Sequence, residues 1–172
     1  MPKYVALLRA INVGKRIVKM EKLRALFEEL GFSNVETFIA SGQVIFETRA
    51  TDTAKLEARI EKHLQAALGY RVDTFIRTPA QLAQIGAQVQ AGDRTLYVTF
   101  TKQPPDRAAC QRLKAQESDV DEFAVHGSEI YWLCRTSLSK SKFTGALLEK
   151  IIGMPATARN VNTVHRLVEK YQ

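Results

Sequence analysis

The sequence predicts an α+β fold made of two tandem halves of the same element order, closed by a C-terminal helix. Three observations predict it. Short strand-like apolar runs alternate with helical stripes in the order β-α-β-β-α-β, and the order recurs in the second half. Two-residue links, Ser41-Gly42 and Gly127-Ser128, join neighbouring strand runs at the same place in each half. Helical stripes in both halves end on a glycine followed by an apolar residue, at Gly31-Phe32, Gly69-Tyr70 and Gly153-Met154.

The elements follow in order. Lys3 to Ile11 reads as a strand apolar on both faces, with Arg9 its one interior charge; such a strand is covered on both sides. A helix from about Lys19 to Leu30 carries Met20, Leu23, Phe27 and Leu30 on one stripe. Val35–Ala40 and Gln43–Glu47 form the first hairpin. A second helix, capped by Asp52 or Thr53, places Leu56, Ile60, Leu64 and Leu68 together. A strand at Val72–Arg77 completes the first half, which has the ferredoxin-like order. Thr78-Pro79-Ala80-Gln81 is a capping box with proline at the first helical position; it opens a connecting helix with Leu82, Ile85 and Val89 apolar.

The second half repeats the scheme. Thr95–Thr101 is its first strand. A helix opens at Pro104-Pro105, runs to about Gln116 and buries Ala109, Cys110 and Leu113. Glu122–His126 pairs with Glu129–Cys134 in the second hairpin. A helix from near Lys142 to Ile152 carries Phe143, Leu147 and Ile151. Only Ala156–Ala158 can serve as the last strand, and it is short. The final helix, Val161–Tyr171, turns Val164, Val168 and Tyr171 inward. This gives an N-terminal ferredoxin-like half over residues 1–77, a connecting helix over 78–92, and a C-terminal ferredoxin-like half with its terminal helix over 93–172. No glycine- or serine-rich linker separates the halves, so tight packing is expected.

Composition narrows the class. The chain has 172 residues, 45% apolar and 25% charged, as ordinary globular proteins do. No apolar run approaches the roughly 20 residues needed to span a bilayer, and the N-terminus lacks a secretory pattern, which points to a cytoplasmic protein. Cys110 and Cys134 are too few for a disulfide framework. His63, His126 and His165 have no ligand spacing, so neither a metal nor a cofactor is expected. The formal charge is +7, and residues 1–24 hold seven cations against one acid, a net of +6 that leaves only +1 for the rest. A patch of that kind attracts phosphates, nucleic acid or an acidic partner, or merely aids solubility.

Candidate binding residues are those the fold does not explain. Arg9 is expected either in an ion pair with Glu36 or Glu47, or as an anion contact at the strand's C-terminal end. Asn12-Val13-Gly14-Lys15 is a glycine turn beside cations, without the full phosphate-loop motif, able to cradle one anionic group. Ser41 and Gln43 lie at the hairpin turn. Ser139-Lys140-Ser141-Lys142 precedes a helix and can cap it or bind an anion. Thr157 to Thr163 is the densest polar cluster: Asn160 can cap the last helix, while Arg159, Asn162 and Thr163 have no evident structural duty and could bind an anion or a base edge. No GxSxG, GxGxxG or assignable acid–base pair marks an enzyme, and the aromatic strand of an RNA-recognition domain is missing.

Leu7-Leu8-Arg9-Ala10-Ile11-Asn12-Val13-Gly14, Val18-Lys19-Met20, Leu23-Arg24, Leu30-Gly31, Thr37, Ser41-Gly42 and Thr157-x-Arg159-Asn160-x-Asn162-Thr163 together resemble the bacterial family catalogued as domain of unknown function 1697. That family opens close to LLRGINVGG, has SGN at the hairpin and ends TxRNWNT. The resemblance implies an α+β fold of ferredoxin-like halves and supplies no activity. Ala10 stands where the family has glycine, Lys15 beside a single glycine, Gln43 for asparagine and Val161 for tryptophan. The expected function is binding of a small anionic or nucleotide-like ligand between the halves by Arg9, Asn12, Lys15, Arg159, Asn160 and Asn162, with Ser41 and Gln43 at the rim. The alternatives are a nucleic-acid-binding module using the basic opening stretch and a non-catalytic structural or partner-binding protein.

Overall fold

The computed structural model describes residues 1–12, 14, 16–38, 42–88, 95–135 and 143–172. Their elements run β1 (Lys3–Leu8), α1 (Met20–Glu29), β2 (Ser33–Phe38), β3 (Gln43–Glu47), α2 (Thr53–Leu68), β4 (Thr74–Arg77), α3 (Pro79–Ala87), β5 (Thr95–Phe100), α4 (Arg107–Lys114), β6 (Asp121–His126), β7 (Glu129–Cys134), α5 (Gly145–Ile152), β8 (Thr157–Asn160) and α6 (Val161–Tyr171). The fold is mixed α+β, with two four-stranded antiparallel sheets ordered β2-β3-β1-β4 and β6-β7-β5-β8. The chain divides into two units, Met1–Leu82 with Tyr171–Gln172, and Ala83–Lys170.

In the first unit β1 is central, and Val5, Ala6, Leu7 and Leu8 are all essentially inaccessible to solvent, as a run apolar on both faces requires. One face, with Tyr4, Ala6 and Leu8, packs with Leu23 and Phe27 of α1 and with Leu56, Ile60 and Leu64 of α2. Phe32 stacks on Phe46 at 4.4 Å between ring centres. The second unit packs Tyr97, Ile130 and Trp132 with Ala109 and Leu113 of α4 and Leu148 and Ile152 of α5. The Trp132 indole N–H donates to the buried Asp121 carboxylate at 2.8 Å, so both polar groups are satisfied inside that core.

Register makes the two sheets equivalent strand by strand. Tyr4 faces Phe46 and Ala6 faces Ile76 in one; Tyr97 faces Trp132 and Thr99 faces Ala158 in the other. The repeat also includes the helix after the fourth strand, since α3 follows β4 as α6 follows β8. The expected Thr78 box is present, with the Gln81 N–H donating to Thr78 Oγ1 at 3.1 Å and the Thr78 N–H donating to Gln81 Oε1 at 2.8 Å. Gly31, Gly69 and Gly153 take left-handed dihedrals at the ends of α1, α2 and α5.

Several boundaries differ from the expectation. β1 ends at Leu8 rather than Ile11, because Ala10 is already left-handed at φ 57° and Ile11 turns back into the first core. α4 starts after Asp106, whose carboxylate accepts from the Ala109 N–H, and not at Pro104-Pro105. Cys110 is only half-buried there. α5 starts after Thr144, which caps it through the Leu147 N–H. The proposed Ser139–Lys142 cap falls outside the described residues, as does Val89. The buried stripe of α6 is Val161, Val164 and Leu167; Val168 is half-buried. Tyr171 belongs to the first unit, where its hydroxyl donates to Glu36 at 2.9 Å and Lys3 lies 6.0 Å from its ring centre. Burial, with Glu36 beside it, pushes that phenol's pKa up.

Two substitutions test the packing of the β1 exit. Ala10 in the left-handed region costs about 1–2 kcal/mol relative to glycine's freedom, partly offset by the extra chain entropy that glycine loses on folding. Ala10→Gly is therefore expected to stabilise the protein by about 0.5–1 kcal/mol in urea unfolding. Gly42, at φ 84°, has no room for a Cβ, which would lie 2.6 Å from Ile11 Cγ2 and 3.2 Å from the Leu8 carbonyl oxygen. Gly42→Ala is expected to cost about 2 kcal/mol by the same measurement.

Candidate functional site

The turn leaving β1 is pinned at both ends by apolar side chains. Ile11 and Val18 are both buried in the first core, while Gly14, Arg16 and Ile17 between them are exposed. Backbone bonds fix its start: the Leu8 N–H donates to the Gly42 carbonyl and the Arg9 N–H to the Asp73 carbonyl, each at 2.9 Å. Asn12 is left-handed at φ 57°, a conformation asparagine tolerates, and its Oδ1 accepts from the Val18 N–H at 2.6 Å. Gly14 is left-handed as well, at φ 63°. Three left-handed residues in five make this the most contorted backbone among the described residues.

Basic groups border that turn. Arg16 is exposed, with its guanidinium carbon 4.7 Å from the centre of the Tyr70 ring. Among the described residues the buried Tyr70 hydroxyl has no hydrogen-bond partner. Lys19 and Lys22 are exposed, and Arg24 pairs with Glu28 on the surface of α1 at 3.4 Å. Arg71 pairs with Asp73 at 2.8 Å on the neighbouring connection.

The start of α1 differs from every other helix start among the described residues. Asp52, Thr78, Asp106, Thr144 and Asn160 each accept a backbone N–H of the helix they precede. At α1 the N-cap residue is Lys19, already in the extended conformation a cap requires, and its side chain makes no capping bond. α1 and α4 hold the same place in the two repeats. Where the second unit supplies the Asp106 carboxylate, the first presents a lysine.

The remaining sequence candidates are distributed as follows. Arg9 lies in the turn, half-buried, instead of on the strand. Of its two proposed acid partners, Glu36 accepts from Tyr171 and Glu47 from Asn34. Gln43 is fully buried opposite Leu7, and its amide nitrogen donates to the Phe38 carbonyl at 3.0 Å. Lys15 and Ser41 fall outside the described residues. In the second unit the Asn160 Oδ1 accepts from the Asn162 N–H at 2.9 Å, and Asn162 is exposed in the first turn of α6. Arg159 lies opposite Val98 on β8 and donates to Thr157 Oγ1 at 2.7 Å and the Ala158 carbonyl at 2.9 Å. Burial pushes its pKa down to about 10, so it is still a cation at neutral pH.

Register shows a relation that sequence reading missed. Arg77 lies opposite Val5 as Arg159 lies opposite Val98, and each donates through Nη1 to the carbonyl of the residue before it. Both immediately precede a helix cap, Thr78 or Asn160. The pattern of arginine then cap then helix is the signal that could have paired them.

Among the described residues no cluster of three His, Cys, Asp or Glu side chains is placed to hold a metal, and no helix is long and apolar enough to cross a membrane. No curated protein matches the chain. Among solved structures it is similar to the conserved bacterial protein SP0830 from Streptococcus pneumoniae, at 21% identity and a TM-score of 0.77 over 99% of this chain and 98% of that one, a likeness of fold. The model of the family described as Protein of unknown function (DUF1697) matches residues 1–131, so the left-handed turn, the uncapped α1 and the first hairpin lie within the matched region, and the chain belongs to that family.

Proposed function

We propose that this protein binds a small anionic ligand, a phosphate-bearing molecule by chemical class, at the turn between β1 and α1. One observation carries the reading: α1 starts without a side-chain cap, while its counterpart α4 starts on the carboxylate of Asp106. The first amides of a helix point outward with partial positive charge, and an anion is the group that satisfies them. In this reading the ligand's anionic group stands where the Asp106 carboxylate stands in the other repeat. Lys19 and Lys22 supply full charge, and Arg16, stacked on Tyr70, borders the same turn. Arg9 and Asn12 hold the loop's shape through the Asp73 carbonyl and the Val18 amide.

Each unit reads as a ferredoxin-like half, supported by the split sheet order with the first strand central and next to the fourth. Arg159 and Asn162, at the β8–α6 junction of the second unit, are a second candidate contact for the same ligand class. A nucleic-acid-binding reading of the basic stretch differs in its salt dependence, with a log–log slope of about 0.9 for each phosphate contacted on B-DNA.

Lys19→Asp separates these possibilities from a bare solvated patch. The N-cap geometry is already present, so aspartate is expected to cap α1 and stabilise the unliganded protein by about 0.5–2 kcal/mol. Inorganic phosphate, pyrophosphate and a nucleoside triphosphate are expected to raise the wild-type Tm saturably, and the variant is expected to lose that response. No saturable shift in the wild type, or an equal shift in the variant, contradicts the proposal.

A further inference from the structure

The second unit carries a cavity of about 400 Å³ that none of the candidate residues above touches. It lies along β6, one of the two edge strands of its sheet. Successive strand residues point to opposite faces, yet Glu122, Phe123 and Ala124 all line this cavity, so it wraps around the strand's free edge. The Phe123 N–H points away from β7 there and reaches the Glu117 carboxylate at 3.3 Å.

Charge in the cavity is paired within the protein. Glu117 meets Lys114 at 3.1 Å, which holds its carboxyl below the usual range, and Glu122 meets Arg135 at 2.7 Å. Leu96, Leu133, Ala124 and Phe123 give apolar wall. The other hydrogen-bonding side chains of the lining are Gln88, His126 and Tyr131. The His126 and Tyr131 rings meet edge to face at 5.3 Å. The Tyr131 hydroxyl is 3.5 Å from Gln88 Oε1, the outer limit of a hydrogen bond, so an incoming group can replace that contact. Burial pushes the Tyr131 phenol's pKa up, which keeps it a donor.

We propose that this cavity is a second binding site, for a small uncharged planar heterocycle of the nucleobase class. A volume near the low end for ligand pockets limits the occupant to about one ring system with a small substituent. Internal charge pairing disfavours a free phosphate, which would have to break a bridge to be neutralised. An amide, a phenol and an imidazole around an apolar wall match a flat ring with donors and acceptors along its rim.

The test is titration of adenine, cytosine and uracil against the full chain by ligand-observed NMR, with inorganic phosphate as the control. Gln88→Ala and His126→Ala alter exposed side chains, so both variants are expected to fold. At least one base is expected to bind saturably with a Kd of about 1 mM or lower. Each variant is expected to weaken that binding about five- to tenfold, the loss of one hydrogen bond. Lys19→Asp is expected to leave it unchanged, which keeps this result separate from the anion site of α1. Absence of saturable binding by all three bases, or wild-type affinity in either variant, overturns the proposal.

Discussion

Burial of β1 on both faces governs the first unit. A strand with Tyr4, Ala6 and Leu8 against helices and Val5 and Leu7 equally hidden on the other side cannot shift or flip without exposing one apolar row. The chain therefore has to leave the sheet within a few residues and bring Ile11 and then Val18 back into the same core. Left-handed dihedrals at Ala10, Asn12 and Gly14 accomplish that reversal. Backbone bonds from Leu8 to Gly42 and from Arg9 to Asp73 tie it to the hairpin and to the connection before β4. A glycine at position 10 would take this conformation without strain, since φ is positive there.

That same reversal sets up the start of α1. Val18 is anchored by its side chain in the core and by its N–H on Asn12, so Lys19 is delivered to the N-cap position with little freedom. A residue type that cannot cap, held in capping geometry, leaves the first turn of the helix without a side-chain cap from its N-cap residue, and amides left in that way are open to solvent or an anion. The second unit sharpens the contrast. The two units share strand order, register and helix placement, yet their equivalent helices α1 and α4 open on opposite charges.

Much of this was legible in the sequence because the signals are local. The Thr78–Gln81 box, the Gly69 and Gly153 caps and the second hairpin, whose His126 and Glu129 pair across Gly127-Ser128, are dictated by residues within a few positions of one another. The sequence suggests a two-residue link for the first hairpin, but its ladder pairs Phe38 with Gln43, so four residues separate its strands. Boundaries set by tertiary packing were harder to place. The apolar run through Ile11 gives no hint that β1 stops at Leu8, since Ile11 is equally apolar as core plug and as strand residue. Gln43 reads as a polar turn residue, but its register opposite Leu7 buries it. Equivalence of Arg77 and Arg159 emerges only from strand register, and the missing cap of α1 is visible only against five helices that have one.

An anion held by the amides opening α1 is the interaction on which the proposed site stands. Backbone amide resonances followed during a phosphate titration test it residue by residue, with α4 as an internal control in the same molecule. Saturable shifts are expected at Met20, Glu21 and Lys22 and none at Arg107, Ala108 and Ala109, where Asp106 already occupies the position. Shifts of equal size at both helix starts, or none at Met20 through Lys22, would contradict it.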